Sequence, residues 1–397
     1  MNNEIELKLR LNATELPLLE KALDCSPFIS YPTLKLLNRY FDTPEMGLSQ
    51  SGAALRIRQQ AELDDDGLEV NSRIIQTLKT RGSSTAGLHQ RMEWDWPLTE
   101  VRLDLRYLRN SEANNFLSEN LNLESISPLF TTDFQRKVWM YKHNGTVIEL
   151  VLDQGRVSTD EHGVDLLELE LELKHGQPEV LFELAKEIAD QCPVVMSDIS
   201  KAERGYGLLS LSEKYQGIKK DWSGKFPDCD FNQETIDSLN CFKIFFAYQL
   251  SIFQRSLEHS IWDKQQAYRE RAHQQLLSLD NLMTVFESDV NSVSSIAQVK
   301  EIRSKIADAK NTELNEVTLN WGQLTLLCGA WLFELTADSS SASSHSSFNS
   351  SAGNNVNSVM SVAAIEQMRS HIEQLKNSIN SNKNNIEIET LSKGKSL

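Results

Sequence analysis

Cysteine is scarce in this chain: five among 397 residues, at positions 25, 192, 229, 241 and 328. They are widely spaced, odd in number and form no Cys-x-x-Cys pair, which argues against a disulfide framework or a zinc site and suits buried thiols in a reducing compartment. Long apolar runs are missing too. The N-terminus carries Glu4, Glu6 and Lys8 where a secretory leader needs continuous hydrocarbon, and nothing approaches the ~20 apolar residues of a membrane span. The best candidate, 324–333, is short and ends at Glu334. A cytoplasmic protein with no membrane segment is the expectation. Positive charge is also in deficit, 40 Lys and Arg against 56 Asp and Glu, for a net charge of −16. Residues 1–210 carry 22 against 34, and the remainder 18 against 22. An acidic surface disfavours nucleic acid by long-range attraction, so no nucleic-acid partner is expected. Any anionic ligand has to be held by locally clustered cations.

What is present is a globular composition, 40% hydrophobic and 24% charged, in a chain long enough for two or three domains with substantial cores. The first ten residues contain Glu4-Ile5-Glu6-Leu7-Lys8-Leu9-Arg10, charge and hydrocarbon in strict alternation. Successive strand side chains point to opposite faces, so one face is ionic and the other apolar. A half-buried amphipathic strand explains that run by itself. A second run, Glu168-Leu169-Glu170-Leu171-Glu172-Leu173-Lys174, sets three carboxylates on one strand face. Like charges so placed repel unless cations lie among them.

Strand patterns bounded by turn residues lie around 3–11, 36–42, 53–60, 71–80, 88–97, 134–142, 146–153, 156–159 and 165–174. Asp64-Asp65-Asp66-Gly67 and His143-Asn144-Gly145 read as hairpin connections, and helical spacing occupies 14–24, 100–120 and 178–191. So many strands favour a closed antiparallel β-barrel, which removes exposed edges. Beyond about residue 215 the period becomes helical. Ile236, Leu239, Phe242, Phe245, Phe246, Leu250, Phe253 and Leu257 mark one stripe, and 263–287, 295–308 and 312–336 continue likewise. The fold class expected is α+β: an antiparallel β-barrel tunnel over 1–210, then an all-α helical bundle over 216–337. A Ser/Asn-rich stretch at 338–358 reads as a flexible linker, followed by a helix and polar tail at 359–397.

Several strands put cations on the ionic face as well. Arg56 and Arg58 stand two apart, Arg73 and Lys79 share a parity, and Arg91, Glu93 and Asp95 do likewise. Arg39 precedes Tyr40-Phe41-Asp42-Thr43, Arg136 opens a strand, and Lys201 lies in Ser200-Lys201-Ala202-Glu203-Arg204-Gly205. If helices cover the apolar faces, the ionic faces converge inside the barrel, and a highly charged ligand with metal makes that interior tolerable. The cations imply a polyanion and the glutamates a divalent cation. Carboxylate oxygens suit Mg²⁺ or Mn²⁺, and Arg forks suit phosphate oxygens, so the set fits phosphoanhydride hydrolysis.

Glu4-x-Glu6-x-Lys8, Tyr40-Phe41-Asp42-Thr43, Leu55-Arg56-Ile57-Arg58, Thr77-Leu78-Lys79-Thr80, Arg91-x-Glu93, Asp153 and Glu168-x-Glu170 followed by Ser200-Lys201 resemble, in order, the motifs of the CYTH family, the triphosphate tunnel metalloenzymes. The resemblance covers roughly 1–210 and implies a metal-dependent triphosphatase, a hydrolase. By that resemblance Glu4, Glu6, Asp153, Glu168 and Glu170 hold metal, with Glu172 open as the alternative to Glu168 and Glu93 assisting the acidic cluster. Lys8, Arg39, Arg56, Arg58, Lys79, Arg136 and Lys201 grip phosphate, and Glu4, Glu6 and Lys8 are the catalytic candidates. A barrel followed by helices is similar to the bacterial CYTH–CHAD arrangement, which implies tripolyphosphate as substrate, pyrophosphate and orthophosphate as products, and polyphosphate as a ligand of the helical region. The helical half departs from a basic CHAD bundle in its acidic balance. Arg255, His259, Arg269, Arg271 and His273 are its local cations, which fit a solvated bundle face as well as a ligand patch. Adenylate cyclase, thiamine triphosphatase and a non-catalytic polyphosphate-binding module stand as alternatives.

Overall fold

The computed structural model describes residues 2–25, 27–80, 82–85, 87–117, 121–212 and 238–341. Two compact units emerge, one of Met1–Ser84, Leu88–Ala185 and Asp198–Trp222, the other of Thr85–Gly87, Lys186–Ser197 and Ser223–Leu397. The division is therefore not a single cut near residue 210. Lys186–Ser197 joins the helical unit before the chain returns, tied there by Gln323 Nε2 donating to Asp190 (2.9 Å) and Ser197 Oγ to Glu258 (2.8 Å).

In the first unit eight long strands form a closed ring: β1 (Asn2–Arg10), β2 (Phe28–Asp42), β3 (Ala53–Leu63), β4 (Glu69–Thr80), β5 (Leu88–Leu98), β6 (Ser127–His143), β7 (Thr146–Ser158) and β8 (Gly163–His175). The order around the ring is β1-β8-β7-β6-β2-β3-β4-β5, all antiparallel, and β5 pairs back onto β1. The expected closed antiparallel architecture is the observed one. Both hairpin connections are also there. Asn144 (φ 46°) and Gly145 (φ 80°) are both left-handed, the backbone a two-residue hairpin turn needs and which Gly adopts without a Cβ penalty.

Register follows the alternation. Lys8 lies opposite Glu170 and Arg10 opposite Glu168, while Leu7 faces Leu171 and Leu9 faces Leu169. Leu7, Leu9, Leu55, Leu78, Leu150, Leu152, Leu169 and Leu171 are all buried on the outer face. Part of their cover is α1 (Leu105–Arg109) and the 3-10 turn after it, which pack Leu108 and Ala113 on Leu55, Leu78 and Trp94. These are what remains of the helix expected over 100–120. Asp104 caps at Arg106, and Asn110, Ser111, Asn114 and Asn115 compete with helical hydrogen bonding thereafter. Inside the ring an apolar cluster of Leu36, Tyr40, Phe130, Phe134, Val157 and Leu166 receives Tyr206, Leu208 and Leu209 of α2 (Lys201–Leu209).

The second unit contains α3 (Ser238–Trp262), α4 (Gln266–Val285), α5 (Glu287–Val293), α6 (Ile296–Lys310) and α7 (Leu319–Ser341). Its core is aromatic: Phe242 and Phe246 meet Trp331 at 5.6 and 5.3 Å between ring centroids, and Phe253 meets Trp321 at 6.1 Å. α7 continues four residues into the stretch read as linker. The rest of that linker and the 359–397 segment lie outside the described residues. Among the described residues no helix is long and apolar enough to cross a membrane.

Candidate active site

Period two decides which side chains enter the ring. On β1 the inward set is Glu4, Glu6 and Lys8; the pairings then carry the same face to Glu168 and Glu170 on β8, Asp153 on β7, Arg136 on β6, Arg56 and Arg58 on β3, Lys79 on β4, and Arg91 and Glu93 on β5. Contacts that skip a strand show that this face is concave. Lys79 reaches Glu4 past β5 (2.8 Å), and Arg136 reaches Glu170 past β7 (3.1 Å).

Two carboxylate groupings lie along this interior. In the first, Asp153, Glu168 and Glu170 each offer an oxygen within 4.8 Å of the others. Lys201 Nζ, carried in by α2, stands among them at 2.6, 2.5 and 3.1 Å. It donates to Glu168 and Glu170 and forms an ion pair with Asp153. Arg136 grips Asp153 with a two-pronged fork, 2.7 Å on each arm, Lys8 meets Glu170 at 3.1 Å, and Arg204 meets Glu168 at 3.4 Å. In the second, Lys79 bridges Glu4 and Glu93 (2.8 and 3.2 Å), Arg56 meets Glu93 (3.4 Å), and Arg91 pairs with Glu6. Lys8, 3.6 Å from Glu6, joins the two.

Electrostatics favour the charged forms of Glu4, Asp153, Glu170 and the three lysines. Burial alone would raise Glu4, but Lys79 and Arg91 overrule it and bring its pKa down to about 2. Burial is likewise overruled at Glu170 by Lys201, Lys8 and Arg136, and at Asp153 by Arg136 and Lys201; both carboxyls sit below their ordinary values. Lys8, Lys79 and Lys201 are held above theirs by the carboxylates around them, against the opposing pull of burial. Arg58 is the exception. Burial, then Arg56 and Arg136, depress it to about 9, and its Nε donates to the neutral amide of Asn38 at 2.9 Å. The Nε atoms of Arg56 and Arg91 are buried without an acceptor.

The structure brings together Glu4, Glu6, Lys8, Arg56, Arg58, Lys79, Glu93, Arg136, Asp153, Glu168, Glu170 and Lys201, and it corrects one assignment. Arg39 sits between inward Asn38 and Tyr40 on β2, so its side chain emerges on the outside, where it is exposed beside Phe41, Leu103 and Leu123 around a cavity of about 310 Å³. As to the alternative at β8, Glu168 is fully buried in the first grouping, whereas Glu172 pairs with Lys174 at 2.7 Å and is raised by its burial. Two members of the network were not assigned from sequence. Arg91 shares the parity of Glu93, a signal that was available; Arg204 follows Lys201 by three residues on a helix opened by the Ser200 cap, whose hydroxyl accepts the Glu203 N–H at 3.1 Å.

An all-carboxylate donor set fits a hard divalent cation, and Asp153, Glu168 and Glu170, with Glu4 and Glu6 on the neighbouring strand, are the residues that could hold one. The CYTH domain matches residues 2–206. The chain belongs to the CYTH domain family. A curated relative, the inorganic triphosphatase of Haemophilus influenzae, is 31% identical over 265 residues, 66% of this chain and 69% of that protein. The aligned length exceeds the CYTH match, so relatedness includes sequence beyond it. Among solved structures, a Hippeastrum protein described as an adenylyl cyclase with a dominant triphosphatase activity aligns with TM-score 0.38 and 23% identity, over 51% of this chain and 95% of its own. The PH1819 protein of Pyrococcus horikoshii aligns with TM-score 0.35 and 18% identity, over 52% and 99%.

Proposed function

We propose that this CYTH protein hydrolyses inorganic tripolyphosphate to pyrophosphate and orthophosphate inside the strand ring, with Mg²⁺ or Mn²⁺. The observation that carries the reading is Arg58: a half-buried guanidinium facing Arg56 and Arg136, with an amide as its hydrogen-bond acceptor, is a cation set that an anion completes. The buried Nε donor of Arg56, which has no acceptor, points the same way. Arg forks bind phosphate oxygens in pairs, and phosphoryl transfer depends mainly on positioning and neutralisation of charge. Arg56, Arg58, Lys79 and Arg136 would grip the phosphate chain, with Lys8 a fixed positive charge between Glu6 and Glu170. Glu4 and Glu6 on one side, and Asp153, Glu168 and Glu170 on the other, would hold the divalent ion. Because Lys201 stands among the last three, its ammonium must move for the ion to take that place, and it is then free to turn to phosphate. The bound ion supplies charge neutralisation at the phosphate oxygens and a more acidic water. The water oxygen bonds to the terminal phosphorus and gives up a proton, and the bond from that phosphorus to the bridging oxygen breaks, leaving orthophosphate and pyrophosphate.

The activity of the Haemophilus influenzae relative supports tripolyphosphate over an organic triphosphate. The test is phosphate release from tripolyphosphate, ATP and thiamine triphosphate in parallel, with Mg²⁺ or Mn²⁺ and with chelator. Metal-dependent release strongly favouring tripolyphosphate is expected. Preference for thiamine triphosphate, or pyrophosphate appearing from ATP, would move the protein to another activity. Binding of all three without turnover would make it a polyphosphate-binding module.

A further inference from the structure

Asp42 closes β2 and is fully buried, yet what surrounds its carboxylate is a set of hydrogen-bond donors without a cation among them. Oδ1 accepts the backbone N–H of Thr43 (2.7 Å) and of Leu48 (2.8 Å). Oδ2 accepts the N–H of Ser49 (3.0 Å) and the hydroxyl of Tyr206 (2.8 Å). Three of these donors are local. The fourth comes from 164 residues away, on α2, and α2 is the helix that carries Lys201 and Arg204 into the ring.

We infer that Asp42 and Tyr206 form a clamp that fixes the seat of α2, making both of them positioning residues for the triphosphatase reaction; the inference rests on the reading above. A nine-residue helix does not hold itself together in water and takes its place from what it packs on. Part of that seat is apolar: Tyr206 meets Phe130 edge-on at 5.1 Å, and a Cβ on Gly205 would come within 2.1 Å of the Phe130 ring. Apolar contact is non-directional and leaves rotation and sliding open. The bond to Asp42 is directional, and its acceptor is itself pinned by three backbone donors. Burial, and then the adjoining Asp42 charge, push the Tyr206 hydroxyl well above its usual range, so the phenol keeps its proton and donates. Tyr206 lies five residues from Lys201, ~7.5 Å along a helix axis. A tilt or rotation at one end therefore shifts the point from which the Lys201 ammonium reaches both the carboxylates it now touches at 2.5–3.1 Å and the phosphate it would turn to once the ion is in place.

Tyr206→Phe keeps the ring and removes only the hydroxyl. In full-length protein it should lower kcat/KM for tripolyphosphate about tenfold, and Asp42→Asn should do the same. In a Lys201→Ala/Arg204→Ala background, Tyr206→Phe should add less than a twofold loss, because the clamp acts through the side chains already removed. Independent, multiplying losses would overturn the inference. A second measurement does not depend on turnover. Amide hydrogen exchange in the 200–209 segment should quicken at least tenfold in Tyr206→Phe while the ring strands stay protected. Unchanged exchange there, or exchange rising alike in every strand, would show a contact with no positioning role. Should the wild-type protein release no phosphate from tripolyphosphate, the triphosphatase reading fails by itself, and the exchange experiment alone decides the clamp.

Discussion

The two units bury opposite kinds of matter. The interior of the strand ring is filled with Glu, Asp, Lys and Arg in mutual contact, with one apolar cluster beneath α2. The helical unit packs Phe242, Phe246, Phe253, Phe286, Trp321 and Trp331 in the ordinary way of a core. Burying ions costs several kcal/mol each before pairing returns it, and an apolar replacement of similar volume is often as stable or more so. A fold gains nothing by that choice unless the ions have another task, whereas aromatic burial stabilises outright. The contrast fits chemistry proposed for the ring and an ordinary core in the helices, and four substitutions test that division.

Trp331→Ala should have the largest effect on stability and little on chemistry. Its ring contacts Phe242 and Phe246, and its Nε1 donates to Ser294 Oγ at 2.8 Å. Removing such a side chain costs about 3–5 kcal/mol. Calorimetry should show the loss, while kcat per folded molecule at low temperature stays within twofold. A collapse of kcat in folded protein would break the comparison by making the helical unit part of the catalyst.

Glu4→Gln inverts that pattern. A residue proposed to hold the ion, and facing Lys79 and Arg91, should cost roughly 10²–10³ in kcat, the range seen when one transition-state charge contact is lost, while binding of tripolyphosphate driven by cations persists. The same variant has a signature in acid. Glu4 falls from an ordinary 4.5 to about 2 in the fold, so its contribution to stability is complete above pH 4.5 and fades as pH drops toward 2. The thermal midpoint of wild type should fall across that window, and in Glu4→Gln it should fall less steeply.

How much of this was legible in the chain depends on the range of the interaction responsible. The alternation at 4–10 and 168–174, and the turn chemistry at Asn144-Gly145, act between neighbours, so they fixed strands, hairpins and the ionic face correctly. β2 begins at Phe28, well before the expected stretch, because a register irregularity between Tyr31 and Leu34, around Pro32, interrupts the alternation. The gap left at 154–155 was only Gln-Gly inside one continuous strand. Glu168 against Glu172 could not be separated by parity, which they share; burial and the approach of Lys201 separate them. The seat of α2 was invisible for a different reason. It depends on Tyr206 meeting Asp42 from across the chain, and nothing in either local pattern announces the other.

Arg58→Met should sharpen the contrast on a smaller scale. Arg58 is the half-buried cation that partial loss of solvent, then Arg56 and Arg136, depress to about 9. At neutral pH that guanidinium is therefore destabilising in the free fold, and replacing it with an apolar chain of similar reach should raise stability by about 1 kcal/mol, at the low end for buried-ion replacement. The KM for tripolyphosphate should rise about tenfold. Stability gained with affinity lost is the mark of a residue kept for its ligand; a stability loss with unchanged KM would make Arg58 a structural ion.

The smallest effect is expected at Arg39, and it bears on parity itself. Arg39 lies next to inward Asn38 and Tyr40, and the motif it precedes made it a phosphate ligand on sequence grounds. Its β2 neighbours decide otherwise: Asn38 faces Arg58 and Tyr40 faces Arg56, so Arg39, between them, faces Ile57 on the outer side. An exposed guanidinium there is screened from the interior by a full sheet thickness. Arg39→Ala should leave kcat and KM for tripolyphosphate within twofold of wild type, measured beside Arg56→Ala, which should lose at least tenfold in kcat/KM. Equal losses at the two positions would mean that side-chain alternation on β2 does not decide which cations meet the substrate, and the separation of an ionic inner face from an outer one would fail at its most local test.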